Sequence, residues 1–141
     1  MEVRQATGAD VEVLRGLWDA SMAEATFTPY PGAPFDPAFL TDHLALVAEE
    51  EGRIVGAAYA NLVSTHYGFV FGVYVRPDAR RRGIARALMR AIARELRSRD
   101  RAYVVLSVDT PNAGARALYE RLGFVDAARI LQARVDQLAD G

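Results

Sequence analysis

A chain of 141 residues that is 51% hydrophobic and 25% charged suits one water-soluble globular domain with a substantial core. It contains no cysteine, which excludes disulfides, thiolate metal sites and a cysteine nucleophile, and no apolar run reaches the roughly 20 residues of a membrane span. The first residues lack the basic start and apolar stretch of a signal peptide, so a cytoplasmic protein without a membrane partner is expected.

The net charge of −1 conceals an asymmetry between the two halves of the chain. Residues 1–75 carry three Arg and ten acidic residues, residues 76–141 carry fourteen Arg and eight acidic residues, and Lys is absent. The C-terminal half is therefore suited to an anionic partner, and the N-terminal half to a neutral or cationic one.

The first half of the sequence predicts an opening strand, two helices and a hairpin. After the strand at residues 3–6, Thr7 and Asp10 have the spacing of a capping box, and a helix with apolar residues at helical spacing follows. A loop with aromatic residues covers 25–37, and a short helix extends from about 37 to 43. Two apolar strands between 44 and 62 turn at Glu51-Gly52.

The second half predicts a strand–helix–strand unit followed by a helix and a strand-like tail. Residues 69–75 are all β-branched or aromatic except Gly72. A helix with an apolar stripe covers about 83–99, a strand covers 103–108, and the next helix ends at Gly123. With the tail at 124–135, the order β-α-α-β-β-β-α-β-α-β predicts an α/β (α+β) domain, in which helices flank a mixed sheet.

Four arginines crowd the predicted start of the helix at residue 83. A helix N-terminus has unpaired N–H groups and a partial positive charge, so cations are unfavourable there unless an anion lies among them. Backbone donors and guanidinium groups together bind phosphate, and Gly83 and Ala85 are small enough for close approach. The cations are Arg80, Arg81, Arg82 and Arg86. The pattern indicates a pyrophosphate site that is neither a Walker loop nor a dinucleotide fingerprint.

Two other interpretations of this basic region remain open from the residues alone. An arginine run at a helix end is often a solvated surface patch. Ten Arg against three acidic residues between 76 and 101 would also suit nucleic acid. Aromatic residues that would stack on bases are not interleaved with this charge, so no nucleic-acid partner is expected.

The residues Arg80-x-x-Gly83-x-Ala85 after an apolar strand resemble the acyl-CoA signature of the GNAT superfamily of N-acetyltransferases, Gln/Arg-x-x-Gly-x-Gly/Ala. The resemblance implies that backbone amides after the strand hold the pyrophosphate of CoA. It also implies that the strand edge at residues 73–75 hydrogen-bonds the pantetheine arm as an added strand would. Gly72 would mark a bulge where neighbouring strands separate.

A second family pattern, Asn-x-x-Ala-x-x-x-Tyr-x-x-x-Gly-Phe, is similar to the segment that begins at Asn112. Its anchors are matched by Asn112, Ala115, Tyr119, Gly123 and Phe124. Asn112 and Tyr119 lie two helical turns apart and can face one ligand. The resemblance implies that Asn112 bonds the pantetheine or the acceptor, and that Tyr119, protonated at neutral pH, donates a proton to the departing CoA thiolate. Singly, Asn112 could be only a helix cap and Tyr119 only a core residue.

The resemblance implies one N-acetyltransferase domain over residues 1–141, with a mainly antiparallel mixed sheet. Its implied reaction is transfer of acetyl from acetyl-CoA to a primary amine of a small molecule or peptide, by direct attack in a ternary complex and without a metal. The implied CoA-binding residues are Val73, Tyr74, Val75, Arg80, Arg81, Arg82, Gly83, Ile84, Ala85, Arg86, Asn112 and Tyr119. A non-catalytic acyl-CoA sensor is the alternative, against which Tyr119 argues.

The general base and the acceptor pocket depart from the clearest family members, some of which carry Glu on the strand before the CoA motif. Residues 69–75 contain no acid, so His66, just before them, is the candidate base. Phe27, Tyr30 and Phe35 are candidate walls of an acceptor pocket for a cationic amine. The tail at 124–135 is either a minimal hairpin or one long strand that pairs with a second subunit, so a homodimer is one alternative.

Overall fold

A five-stranded sheet forms the centre of the computed structural model, which describes residues 1–25, 32–109 and 111–140. The strands are β1 (Glu2–Gln5), β2 (Leu44–Glu50), β3 (Arg53–Asn61), β4 (Tyr67–Val75) and β5 (Tyr103–Leu106). They lie side by side in chain order, and every neighbouring pair is antiparallel except β4 and β5. The predicted mixed, mainly antiparallel sheet is therefore confirmed.

The helices of the described residues pack mainly as two layers on this sheet. They are α1 (Val11–Glu24), α2 (Phe39–Asp42), α3 (Ile84–Ser98), α4 (Ala113–Arg121) and α5 (Val135–Ala139). The apolar stripe predicted for α3 is buried, at Ile84, Leu88, Ile92 and Leu96. α3 also connects β4 to β5, as a parallel pair requires. Within the described ranges no helix combines the length and the apolar character needed to cross a membrane.

The alternation of side chains along β2 explains why helices cover both faces of the sheet. Leu44, Leu46 and Ala48 join the core that contains the buried residues of α3, whereas Ala45 and Val47 join the core that contains those of α1. Successive side chains of a strand point to opposite faces. A strand that is apolar at every position therefore needs a packed layer on each side.

The hairpin between β2 and β3 turns where the sequence predicts it. Glu51 and Gly52 both have positive φ, at 50° and 78°, as a two-residue type I′ turn requires. This turn matches the right-handed twist of the strands, and Gly adopts its conformation without a steric penalty. The turn fixes the register of the sheet's central hairpin.

The predicted capping box before α1 is formed around a buried carboxylate. The Thr7 backbone N–H donates to Oδ2 of Asp10 over 2.8 Å, and the guanidinium of Arg4 donates to both carboxylate oxygens, at 2.9 and 3.1 Å. These donors outweigh the cost of burial and lower the pKa of Asp10 below its ordinary value, with Arg4 the largest cause. The Asp10 carboxylate thus ties β1 to the start of α1.

Beyond α4 the predicted strand at residues 124–135 is wrong. Residues 124–134 form neither helix nor strand, and the short helix α5 follows. Val125 and Leu131 remain 84% and 89% exposed. The segment has no turn-forming residue that would fold it back as a hairpin. Among the described residues the outer edge of β5 pairs with no strand, so the element order ends in two helices.

Candidate active site

The parallel strands β4 and β5 are paired over only the first part of β4. The pairing covers Tyr67–Val70 on β4 and Tyr103–Leu106 on β5. From Phe71 to Val75, the outer edge of β4 has no strand partner among the described residues, while its inner edge stays paired with β3. The open edge can accept an extended ligand as an additional strand would be accepted.

A β-bulge lies at the point where β4 leaves β5. The register with β3 changes between Phe71, opposite Tyr59, and Tyr74, opposite Ala57, so that two residues of β4 face one of β3. Gly72 has a φ of 63°, and a Cβ there would lie 2.7 Å from both the Trp18 and the Tyr59 ring. The predicted bulge at Gly72 is confirmed, and glycine is required there by both conformation and space.

The turn between β4 and α3 exposes a series of backbone donors. Among the described residues, the N–H groups of residues 81–86 have no hydrogen-bond acceptor. Arg81 and Gly83 have positive φ, at 64° and 77°, which directs successive N–H groups toward a common side. Together with the positive end of the α3 dipole, these donors form a concave anion-binding turn. Gly83 and Ala85 add little side-chain bulk to it.

Two of the four arginines of this turn form ion pairs with carboxylates, and the other two form none among the described residues. Arg80 contacts Glu24 at 2.7 Å and donates through Nε to the Val75 carbonyl, whereas Arg82 contacts Glu50 at 2.7 Å. In the described part of the chain, Arg81 and Arg86 have no ion-pair partner. For Arg80 and Arg82, part of the anionic charge that the sequence requires among these cations comes from the protein itself, because carboxylates at the ends of α1 and β2 reach the turn.

Tyr74 lies at the open edge with its backbone while its side chain packs on the α1 side of the sheet. Its hydroxyl donates to Glu24 over 3.2 Å, and the Arg80 guanidinium lies over its ring, 5.3 Å from the centroid. Burial is the largest cause that raises the pKa of Tyr74, and Glu24 raises it further. The Glu24 carboxylate therefore links the end of α1 to both β4 and the anion-binding turn.

The second predicted motif lies on α4. The Asn112 side-chain oxygen accepts from the Ala115 N–H over 3.2 Å and caps this helix, which leaves the side-chain NH₂ group for other partners. Tyr119 follows two turns later, packs against the core beside α3, and meets Phe124 edge-on with centroids 5.6 Å apart. Burial raises the pKa of Tyr119, so its hydroxyl keeps its proton well above neutral pH.

The remaining predicted site residues are not gathered at the open edge of β4. His66 is exposed and directly precedes β4, and an extended strand of seven residues separates it from Val73 by about 23 Å. Phe35 is 6% exposed and packs between Trp18 and Phe39. Its ring is thus part of the core, not an open wall. Phe27 and Tyr30 lie outside the described residues.

His43, between α2 and β2, was missed by the sequence reasoning. Its imidazole lies 6.2 Å from the Phe39 ring and 6.0 Å from the Phe71 ring, centroid to centroid. The Nδ1 atom is buried and has no hydrogen-bond partner within the part of the chain that the structure describes. No spacing motif includes this histidine, so only the folded arrangement reveals it. Elsewhere in the described ranges, no three His, Asp or Glu side chains are grouped as metal ligands.

Comparison with known families now decides the identity of the domain. The model of the acetyltransferase (GNAT) family matches residues 12–124, a span that includes the open edge of β4, the anion-binding turn and the α4 motif. The chain belongs to the GNAT acetyltransferase family. The family assignment made from the two motifs is confirmed.

Individual relatives of this GNAT domain agree with the assignment. A mycothiol acetyltransferase from Thermomonospora curvata is 38% identical over 90 residues, which are 64% of this chain and 29% of the relative. The chain spans less than a third of the length of the curated relatives it matches. A ribosomal-protein-alanine N-acetyltransferase from Brucella melitensis biovar Abortus 2308 is 26% identical, has a TM-score of 0.75, and overlaps 94% of this chain and 97% of its own.

A third relative is a solved structure that contains CoA. It is an aminoglycoside N-acetyltransferase in complex with CoA, 22% identical, with a TM-score of 0.76 over 94% of this chain and 98% of its own. At this identity the likeness concerns the fold. It confirms that the layered mixed sheet described above is the architecture of a GNAT domain.

Proposed function

We propose that this protein is an acyl-CoA-dependent N-acyltransferase that transfers acetyl from acetyl-CoA to a primary amine of a small molecule or peptide. The observation that carries the proposal is the row of N–H groups at residues 81–86, which find no acceptor among the described residues and directly follow an edge of β4 that no described strand pairs. A diphosphate joined to a long, amide-containing arm satisfies both features at once, because the turn binds its charge and the edge binds its amides.

The CoA-binding residues of the proposal fall into three groups. The anion-binding turn, residues 80–86, holds the pyrophosphate through its backbone donors and through Arg81 and Arg86, which have no ion-pair partner among the described residues. The open edge at residues 73–75 holds the pantetheine arm. Asn112 donates a hydrogen bond from its side-chain NH₂ group to the pantetheine or to the acceptor. In full, these residues are Val73, Tyr74, Val75, Arg80, Arg81, Arg82, Gly83, Ile84, Ala85, Arg86, Asn112 and Tyr119.

Catalysis on this site requires charge stabilisation and proton transfer. The amine nitrogen attacks the thioester carbonyl, and a backbone N–H in the region of residues 73–75 stabilises the developing oxyanion. When the carbon–sulfur bond breaks, the Tyr119 hydroxyl gives its proton to the thiolate. A tyrosine suits this step because burial raises its pKa and keeps the proton in place until the leaving group needs it.

Glu24 is proposed to compete with the co-substrate for Arg80. The two side chains are in contact at 2.7 Å, and both are more than 40% exposed, so water screens the pair. A diphosphate in the adjacent turn presents more negative charge than one carboxylate and draws Arg80 away from Glu24. Because Glu24 ends α1, this exchange links co-substrate binding to the C-terminal end of that helix.

The acceptor is proposed to be a small cationic amine. The N-terminal half of the chain carries ten acidic residues and three arginines, a balance that attracts cations. Relatives named for mycothiol and for aminoglycosides indicate that GNAT domains of this kind act on small molecules. A peptide N-terminus is the second acceptor class, in line with the relative named for a ribosomal protein.

The proposed function is tested by calorimetry and by thiol release. We expect the purified protein to bind CoA and acetyl-CoA, and to release free thiol with at least one of spermidine, aminoglycosides, amino acids or short peptides. Binding that any polyanion reproduces would contradict the site. Tight CoA binding without thiol release would make the protein a sensor, and preference for an acidic acceptor would contradict the acceptor class.

A further inference from the structure

We propose that His43 is the general base that removes a proton from the acceptor amine. This assignment rests on the proposed acyl transfer, and it supplies the group that β4 lacks. No acidic side chain is present between Phe69 and Val75. The position of His43, the enclosure of its ring and the protonation of the amine all support this role.

His43 lies close to the part of β4 that extends beyond its pairing with β5. The His43 ring lies 6.0 Å from that of Phe71, the first residue of β4 beyond its pairing with β5. Phe71 and Val73 are two residues apart, or about 7 Å along the strand. His66 lies on the other side of Phe71, about 16 Å back along β4. Of the two histidines, His43 therefore borders the open edge.

The imidazole ring of His43 lies against two aromatic side chains. Nδ1 of His43 is buried and, among the described residues, has no hydrogen-bond partner, which is unfavourable in a folded protein. Phe39 and Phe71 flank the ring, and both are partly exposed, so solvent reaches part of this apolar wall. A cationic amine is attracted to the faces of these aromatic rings, and an amine that displaces a ring far enough to uncover Nδ1 supplies the missing partner.

Several carboxylates are the other candidates for removing the proton of the acceptor amine. Glu24 is in contact with both Arg80 and the hydroxyl of Tyr74. Glu49 contacts Arg4, and Glu50 contacts Arg82. These three carboxylates are engaged with cations elsewhere. Asp42 is adjacent to His43 in the chain but is exposed and meets the Thr41 hydroxyl. The imidazole packs directly on β4 at Phe71. Tyr59 stacks on the same ring with centroids 5.3 Å apart, but burial raises the pKa of its hydroxyl, which stays protonated and cannot accept the proton.

The acceptor amine must be deprotonated before it attacks the thioester. An alkylammonium group has a pKa near 10 and must lose a proton before it can attack, whereas an imidazole is largely neutral at pH 7 and can accept one. His43 takes this first proton and passes it to solvent. The nitrogen lone pair forms the carbon–nitrogen bond, the carbon–sulfur bond breaks, and Tyr119 protonates the thiolate. The amine nitrogen loses a second proton as the amide forms, and this proton restores the hydroxyl of Tyr119.

The experiment compares two amines of similar size and different basicity, ethylamine and trifluoroethylamine, with acetyl-CoA at neutral pH. Ethylamine is protonated under these conditions and needs a base, whereas trifluoroethylamine is mostly neutral. We expect His43→Ala to lower kcat/KM for ethylamine about 100-fold and for trifluoroethylamine less than about threefold, since general-base catalysis is worth at least this much. His66→Ala is the matched control and should leave both values unchanged.

The outcomes separate the base from the function. An equal loss with both amines, or no loss with either, overturns the role of His43 while leaving acyl transfer intact. Wild-type protein that releases no thiol with any amine overturns the proposed function and this assignment together. Calorimetric CoA binding verifies that each variant is folded. If His43→Ala does not fold, His43→Gln preserves the side-chain volume and must show the same selective loss.

Discussion

The two halves of β4 differ in how many of their edges are paired. Phe69 and Val70 pair with β3 on one side and with β5 on the other, whereas Tyr67 and Gly68 pair with β5. Toward the C-terminal end, Tyr74 and Val75 pair with β3 alone among the described residues, and the anion-binding turn follows at once. The same strand thus joins two neighbours in its first half and leaves one edge free in its second. The point where pairing with β5 stops is therefore where we propose that the pantetheine arm binds.

The largest expected effect comes from Tyr119, which we propose as the general acid. Tyr119→Phe should lower kcat about 100- to 1000-fold, because a positioned general acid contributes rate factors of this order. Affinity for CoA should stay within about twofold, since one hydroxyl is lost from a large ligand interface. Initial-rate kinetics and calorimetry measure the two quantities.

The pH dependence of the same variant sharpens the test. Burial raises the pKa of Tyr119 above the ordinary value of about 10, so the acidic form persists through the alkaline range. The ratio of wild-type to Tyr119→Phe turnover should therefore be constant from neutral pH to about pH 10 and narrow only above it. A ratio that narrows below pH 9 would exclude Tyr119 as the acid.

The second effect contrasts two glycines with positive φ on either side of the open edge. Gly72→Ala forces a Cβ to 2.7 Å from Trp18 and Tyr59 and strains the backbone, and we expect a loss of about 2–4 kcal/mol in unfolding free energy. Gly83→Ala meets no atom within 4 Å and bears only the strain of φ 77°, about 1–2 kcal/mol. Urea unfolding compares them. Equal losses would mean that close packing at the bulge does not matter.

The third effect tests the anion-binding turn against the rest of its helix. Arg81→Ala and Arg86→Ala should each weaken CoA binding about tenfold, because each removes a charge-assisted contact worth roughly 1.5 kcal/mol. Arg97→Ala, at the exposed far end of α3, is the matched control and should change affinity little. Titrations at low and high salt would expose nonspecific attraction, since a loss common to all three variants would indicate only a basic surface.

The smallest effect concerns the exposed ion pair that holds Arg80. Glu24→Gln frees this guanidinium and should strengthen CoA binding about threefold, within the range of 0–1 kcal/mol for exposed pairs. Glu12→Gln, on the same helix and 86% exposed, serves as the control for the change in net charge. Weaker binding in Glu24→Gln would mean that the carboxylate positions Arg80 for the ligand instead of competing with it.

Features that depend on neighbours in the sequence were predicted correctly. The Glu51-Gly52 turn, the apolar stripe of α3 and the bulge at Gly72 each follow from local conformational preference or from side-chain periodicity. The exposed backbone donors after β4 are a local feature too, because a helix start and its glycine are adjacent in the chain. Local rules therefore predicted these elements of the fold, and the binding of CoA at the turn stays a proposal.

Features that depend on contacts through space were not predicted. Glu24 and Glu50 reach Arg80 and Arg82 across 56 and 32 residues of sequence, so no local pattern reveals that these cations are partly neutralised. His43 meets Phe71 only because α2 delivers it to the face of the sheet. The tail after Phe124 has strand-forming residues, yet β propensity alone does not form a strand. The outer edge of β5 is free among the described residues, but residues 124–134 contain no Gly, Pro or Asn that would turn the chain back toward it.

The cationic groups of the anion-binding turn are all guanidinium groups. An amine held beside an activated thioester can be acylated and lose its charge, whereas a guanidinium stays protonated and is a poor nucleophile near neutral pH. With arginine at 80, 81, 82 and 86 and no lysine anywhere in the sequence, self-modification cannot erase the positive potential of the turn. With the function proposed above, the affinity of the turn for its reactive co-substrate would thereby be protected from self-acylation.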